Sequence, residues 1–150
     1  MLNRLKKIFE SFQKNEVKYV VIGGIAAVLH GVPRTTFDLD ILIEKSQENA
    51  ERLLNAFMEA GLATALMTTQ KDILENEITV FKDFVRIDVQ TSTPGISFQD
   101  CWKHKISMDY QGQTFFVIAR DDLIASKRAS GRPIDFEDIR LLELTDNPNN

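Results

Sequence analysis

Apolar positions recur along the chain in two periods, and the switch between them predicts the elements. Leu2, Leu5, Ile8, Phe9 and Phe12 fall at helical spacing, with Arg4, Lys6, Lys7, Glu10 and Lys14 between them, which predicts an amphipathic first helix. A basic amphipathic helix can also lie on a membrane or a partner; packing on its own domain is the reading adopted. Lys18 to Ile22 is an unbroken, β-branched run that closes on Gly23-Gly24, a buried strand. Ile25 to His30 reads as a short helix stopped by Gly31. Phe37 to Glu44 changes to a period of two. Phe37, Leu39, Ile41 and Ile43 face one way, and Asp38, Asp40, Leu42 and Glu44 the other. Ser46 is placed to cap a helix running to Ala60, with Gly61 just past its end. Leu66 to Glu77 fits neither period. Ile78 to Lys82 and Val85 to Gln90 read as strands around Asp83; in the second, Val85, Ile87 and Val89 oppose Arg86, Asp88 and Gln90.

The remainder follows the same logic. Thr91 to Gly95 is a loop, and Phe98 to His104 a short helical turn. Lys105 to Tyr110 and Thr114 to Ile118 form a hairpin about Gln111-Gly112. Asp121 or Asp122 caps a helix ending near Ser130 and closed by Gly131. Pro133 suits the first position of a last helix, with Ile134, Phe136, Ile139, Leu142 and Leu144 as its apolar side. The tail TDNPNN is polar and expected to fray. There is no internal repeat. The expected class is α+β: a mixed β-sheet with flanking helices, followed by a short C-terminal helical pair.

Composition narrows the setting. At 150 residues a single domain buries roughly 70% of its unfolded surface, so neither disulfide nor zinc is needed to hold a core. Net charge is −4, which argues against a protein that coats nucleic acid but leaves room for a local basic patch. Cys101 is the only cysteine, so no internal disulfide forms, the usage of a reducing cytoplasm. The N-terminus has no apolar core of a signal peptide, and no run approaches the roughly 18 apolar residues of a membrane span. A cytoplasmic protein without membrane contact is expected.

Asp38 and Asp40 carry the chemistry. Two apart on a strand, they leave the same face with Cα atoms about 6.5 Å apart. Two unpaired carboxylates that close repel one another, and a divalent cation removes the conflict. Mg²⁺ takes one or two carboxylates and completes its shell with water and phosphate. Asp88 is a similar residue on another strand, opposite the apolar stripe. If those strands are neighbours, three carboxylates converge, enough for two ions about 3.5–4 Å apart. Gly23-Gly24, at a strand end before a helix, lets backbone N–H groups approach a phosphate. Neither a Walker loop nor a dinucleotide fingerprint is present. Each piece alone has a bland counterpart: an exposed sheet face, a turn, a surface aspartate.

Together, VIGGIAAVLHGVPRTTFDLDILIE resembles the signature of the DNA polymerase β-like nucleotidyltransferase superfamily: apolar strand, Gly-Gly or Gly-Ser, helix, then D-x-D. His30-Gly31, the Arg34-x-Thr36-x-Asp38 pattern and DLIASKRASGRPIDFEDIRLLE are similar to a small prokaryotic subgroup that includes abortive-infection toxin-like nucleotidyltransferases. The resemblance implies that Asp38, Asp40 and Asp88 are catalytic and bind two Mg²⁺ ions, with Mn²⁺ as a substitute. Asp88 would help deprotonate the attacking hydroxyl. Gly23 and Gly24 would hold the phosphates of a nucleoside triphosphate. Many relatives have serine at the second glycine, whereas Gly24 offers only backbone. A catalytic core over 1–118 and a helical extension over 119–150, with a polar tail at 145–150, complete the expectation. A toxin–antitoxin role also follows from the resemblance alone. The acceptor stays open between a tRNA end, a protein side chain and a small molecule, and a homodimer or partner protein completing the site is a further expectation. The rival reading is a degenerate fold that binds a nucleotide or partner.

Four further features have two readings each. Arg34 either neutralises triphosphate charge or pairs with a nearby carboxylate. Lys127 either reaches the phosphates, as in similar enzymes, or lies on a solvated helix face. Arg132 and Asp135 either take part in catalysis or form a structural pair, the reading preferred. Lys103, His104 and Lys105 beside Trp102 either stack on a base or form a loop around a half-buried tryptophan, the reading preferred. His30 reads as a satisfied structural histidine. Cys101 and His104 lack the company of zinc ligands.

Overall fold

A computed structural model describes residues 1–145; the end of the polar tail lies outside the described residues. The chain runs α1 (Leu2–Lys14), β1 (Tyr19–Ile22), α2 (Gly23–Leu29), β2 (Leu39–Ile43), α3 (Gln47–Glu59), a 3₁₀ turn (Ala63–Met67) and α4 (Gln70–Glu75). It continues with β3 (Ile78–Lys82), β4 (Arg86–Gln90), α5 (Phe98–His104), β5 (Ile106–Tyr110), β6 (Gln113–Val117), α6 (Arg120–Ser130) and α7 (Pro133–Thr145). The strands form one mixed sheet in the order β3-β4-β2-β1-β6-β5. β2 pairs antiparallel with β1 and parallel with β4. The fold is α+β, as the pattern predicts.

One face of the sheet is sealed by an aromatic seam. Phe9 of α1 stacks on Phe115 of β6 at 4.5 Å, Phe12 meets Tyr19 of β1 at 4.6 Å, and Phe57 of α3 meets Phe81 of β3 edge-on at 4.8 Å. Leu39, Ile41 and Ile43 are fully buried against this side. The second face is covered unevenly. All of β1 is buried, and Trp102 of α5 packs edge-on against Phe116 of β6. Cover is already broken at Asp40 in β2 and thinner again on β4, and on the edge strand β3 Ile78 and Val80 are exposed. The carboxylates stand at this margin.

Several local expectations change. Phe37 lies before β2 and is 77% exposed, so it does not extend the apolar stripe. α2 starts on Gly23 itself rather than at Ile25. Leu66–Glu77 resolves into the end of the 3₁₀ turn and α4, the latter started by a reciprocal Thr69–Asp72 capping box. The N-cap of α6 is Ala119, with Asp121 and Asp122 in the first turn, where they favour the helix dipole instead. On α7, Ile139 and Leu142 are buried, but Ile134, Phe136 and Leu144 are exposed. The buried partners on that helix are Asp135 and Asp138. Asp135, Asp138, Ile139 and Leu142 fall on one helical stripe, so ionic pairing with α6 and apolar burial together set its rotation. Ser46, Gly61, the Gln111-Gly112 turn, Gly131 and Pro133 stand as expected.

Candidate active site

Register brings Asp40 of β2 directly opposite Asp88 of β4, and Ile22 opposite Asp40 on the other side. Asp38 lies two residues before Asp40, near the start of β4. Together with Gly23 the three carboxylates line a cleft of about 560 Å³. Asp40 is the most strained of them. Burial, then the charges of Asp88 and Asp38, push its carboxyl up to about 7, against the partial relief of Arg132.

Gly23 is needed here for two reasons. Its φ is +69°, and a Cβ on it would run into the Asp40 carboxylate. Gly24 has no space for a side chain either: Thr36 Oγ1 and Arg34 Nη2 occupy the position a Cβ would approach. A hydroxyl is therefore beside Gly24, but it comes from Thr36.

The rest of the lining carries paired charges. Ser126, Lys127 and Ser130 of α6 contribute to it, with Arg132 and Asp135 at the α6–α7 junction. The loop carrying Thr93 and Pro94 closes one side; Gly95 follows it at φ +81°, pressed against Ala125 and Ala129 of α6. Lys127 is not on a solvated face. Its side chain is only 4% exposed, with Nζ 2.8 Å from Asp138 and 3.7 Å from Asp135. Asp138 also takes Arg34 at 3.0 Å, and Asp135 takes Arg132 in a bidentate pair at 2.9 and 3.1 Å. Burial alone would raise the Asp135 carboxyl, but bonding to Arg132 and the Lys127 charge hold it below its usual range. Asp138 Oδ1 and Arg34 Nε have no partner among the described residues.

Of the residues singled out from sequence, Asp38, Asp40, Asp88, Gly23 and Lys127 are brought together. Arg34 sits behind Gly24, turned to Asp138, outside the carboxylate cleft. Arg132 does more than its expected pairing, and Arg86 was missed. Arg132 forms the Asp135 pair that was expected, yet its side chain is 68% exposed and acts on Asp40. Arg86 bonds Asp88 through Nε at 3.0 Å and Nη2 at 3.4 Å, with Asp38 at 3.9 Å. Its place on the Asp88 face of the strand was the available signal. Trp102 is half-buried among side chains, the reading preferred: Phe98 stacks on it, Phe116 meets it edge-on and Lys105 Nζ lies 3.9 Å from its ring centre. His30 Nε2 bonds the Ile118 carbonyl at 2.7 Å, and His104 Nδ1 meets Asp122 at 3.0 Å.

As they stand, no three acidic, histidine or cysteine side chains among the described residues are gathered closely enough to hold an ion. The chemistry of the set nonetheless fits a hard cation: three carboxylates on one sheet face, and a raised Asp40 that a divalent charge would relieve.

The mixed sheet, with paired acids beside the Gly23-Gly24 start of α2, has the fold of a nucleotidyltransferase. The chain belongs to a family described as nucleotidyltransferases of unknown function (DUF6036), which matches residues 2–149. No curated protein matches it in sequence. Among solved structures, a provisionally named nucleotidyltransferase from Thermotoga maritima is similar in fold, with a TM-score of 0.62 over 97% of this chain and 93% of that one at 18% identity. No helix among the described residues is long and apolar enough to cross a membrane.

Proposed function

We propose that the protein transfers a nucleoside monophosphate from a nucleoside triphosphate to an acceptor hydroxyl, with release of pyrophosphate. The observation that carries this reading is the cleft's lining: Asp38, Asp40 and Asp88 converge beside Gly23, with the cations Arg86, Lys127 and Arg132 and one further acid, Asp135, around them. Such a cleft accommodates a metal–triphosphate complex, anionic phosphates toward the cations and the ions toward the carboxylates.

Asp38, Asp40 and Asp88 would hold Mg²⁺ or Mn²⁺, which supplies Lewis-acid stabilisation of the charge developing on phosphate oxygens. The chain's own groups do the rest. Gly23 and Gly24 offer backbone N–H groups to the phosphates, and Thr36 places a hydroxyl beside Gly24. Lys127, fixed by Asp138 and Asp135, is a charge that needs little reorganisation. Arg132 is exposed enough to fold onto the leaving pyrophosphate. The acceptor oxygen bonds the α-phosphorus, the bond from that phosphorus to the bridging oxygen breaks, and the hydroxyl proton passes to Asp88.

The test is a thermal-shift titration with ATP, GTP, CTP and UTP, with and without Mg²⁺ or Mn²⁺, on the wild type and on Asp38→Ala/Asp40→Ala. A ligand at 100 times its Kd stabilises by about 2.7 kcal/mol. Metal-dependent stabilisation lost in the double variant supports the reading. One observation favours a second reading, a partner-binding fold without catalysis: Arg86 already neutralises Asp88 and Asp38. No shift with any triphosphate would select it.

A further inference from the structure

Asp138 is shared by two cations that belong to different parts of the surface. It is fully buried, and its Oδ2 takes Lys127 Nζ at 2.8 Å and Arg34 Nη2 at 3.0 Å. Its Oδ1 has no partner among the described residues, and neither has the buried Nε of Arg34. A guanidinium fork and a carboxylate can make two parallel bonds. Here one is made, and an orphan is left on each side of the pair. A buried group without its bond costs free energy, so Arg34 is the loosely held link. Lys127 lines the carboxylate cleft. Arg34 lines a second cavity, of about 440 Å³, that shares no residue with that cleft.

The chemistry of this second cavity suits an anion with an apolar body. Leu5 and Val85 are buried in its wall, Val28 is half-buried, and Phe37 is exposed at it. Its lining holds two arginines, Arg4 and Arg34, and no acid. No carboxylate among the described residues pairs with the Arg4 guanidinium. We propose that this cavity is a regulatory site for a small amphiphilic anion, one acid group on an apolar body, and that Asp138 couples it to the triphosphate cleft. The site stands on its own lining; the coupling rests on the nucleotidyl-transfer reading above. In one state Arg34 bonds Asp138, as here. In the other it turns its fork to the acid group alongside Arg4, and Phe37 packs on the apolar body. Asp138 then keeps Lys127 alone, and the Lys127 charge is drawn onto it and away from the phosphates. The two ligands therefore weaken each other, each by the same factor. A neutral apolar molecule leaves both arginines unanswered and Arg34 on Asp138.

Anilinonaphthalenesulfonate, an amphiphilic anion whose fluorescence rises on binding, is the probe, and phenylnaphthylamine, the same rings without the acid, is the control. Wild type is expected to bind the sulfonate, and Arg4→Glu to weaken it about tenfold or more without changing any affinity for the amine. Arg4 does not line the triphosphate cleft, so the thermal melt of this variant with metal and triphosphate reports whether fold and cleft are intact. No sulfonate binding in wild type, or unchanged affinity in intact Arg4→Glu, overturns the site. Octanoate and octyl phosphate serve as competitors: displacement by one names the acid group, and displacement by neither overturns the ligand class. The metal–triphosphate that stabilises wild type most should, at saturation, raise the sulfonate Kd about fivefold or more. That rise should level off, because both ligands are bound at once, and should shrink toward none in Arg34→Gln, where Lys127 still pairs with Asp138. A rise without limit means one shared site and overturns the proposal; no rise overturns the coupling. Absence of any triphosphate shift in wild type overturns the transfer reading, and Arg4→Glu then decides the cavity by itself.

Discussion

Gly23 and Asp40 are in such close contact that the backbone of one strand end is moulded to the carboxylate of the next strand. Gly23→Ala therefore meets two obstacles. A left-handed φ costs a non-glycine residue about 1–2 kcal/mol, and the methyl must displace the Asp40 carboxylate. The variant is expected to melt lower and to lose metal-dependent stabilisation by triphosphate. An unchanged triphosphate shift in thermal melts would remove Gly23 from the site.

Asp40 links the site to pH. Its folded carboxyl titrates at about 7, raised chiefly by burial and then by Asp88 and Asp38, whereas an unfolded aspartate titrates near 3.9. Between these values the folded chain holds a proton that the unfolded chain has released. The stability from that proton is complete below about pH 4 and is lost as pH rises through about 7, at up to roughly 1.4 kcal/mol per unit. Metal-free protein should melt lower at pH 8 than at pH 5 by this contribution. Asp40→Asn should flatten the profile, stay folded and abolish transfer. Urea titrations across pH read the first, and pyrophosphate release the second. Transfer retained in folded Asp40→Asn protein would sink the two-metal reading.

Lys127 and Asp138 are both buried, at 4% and 0% side-chain exposure, and 2.8 Å apart. Removing Lys127 leaves the buried Asp138 with Arg34 as its remaining cation, at a cost of up to about 3–5 kcal/mol. Lys127→Met is expected to lose that much in urea denaturation, and Asp138→Leu in the same chain to recover part of it. Arg132→Lys, which keeps a cation on the buried Asp135, should weaken triphosphate binding with a much smaller change in Tm. Equal destabilisation by the two variants would contradict this division.

Cys101 is fully buried on α5. Burial first, then the charges of Asp122 and Asp100, push its thiol up to about 12. The folded protein should resist a thiol reagent at pH 8 and react stoichiometrically in denaturant. Rapid modification of native protein would show that α5 opens.

Much of the fold was legible because its signals are local. Ser46 announces its helix by bonding the Asn49 amide, and Gly131 ends α6 in a left-handed turn. The Asp38–Asp40 pair stood out because D-x-D spacing matches strand period, although β2 itself starts at Leu39, just after Asp38. The less legible parts are those where a partner distant in sequence decides. Asp135 and Asp138 look like surface residues on α7 until Lys127 and Arg34 are brought against them. Arg86 looks like an ordinary exposed strand residue until Asp88 and Asp38 share its charge.

The sequence by itself determined the element types, most caps and turns, and the candidate acids, since backbone period, φ and nearest-neighbour hydrogen bonds depend on a few adjacent residues. The tertiary structure decided that β2 and β4 are neighbours with Asp40 opposite Asp88, that α7 turns its acids inward, and that the second sheet face is left open from Asp88 to Lys82. Strand order and face coverage are set by which distant surfaces bury together, and no local period encodes that choice.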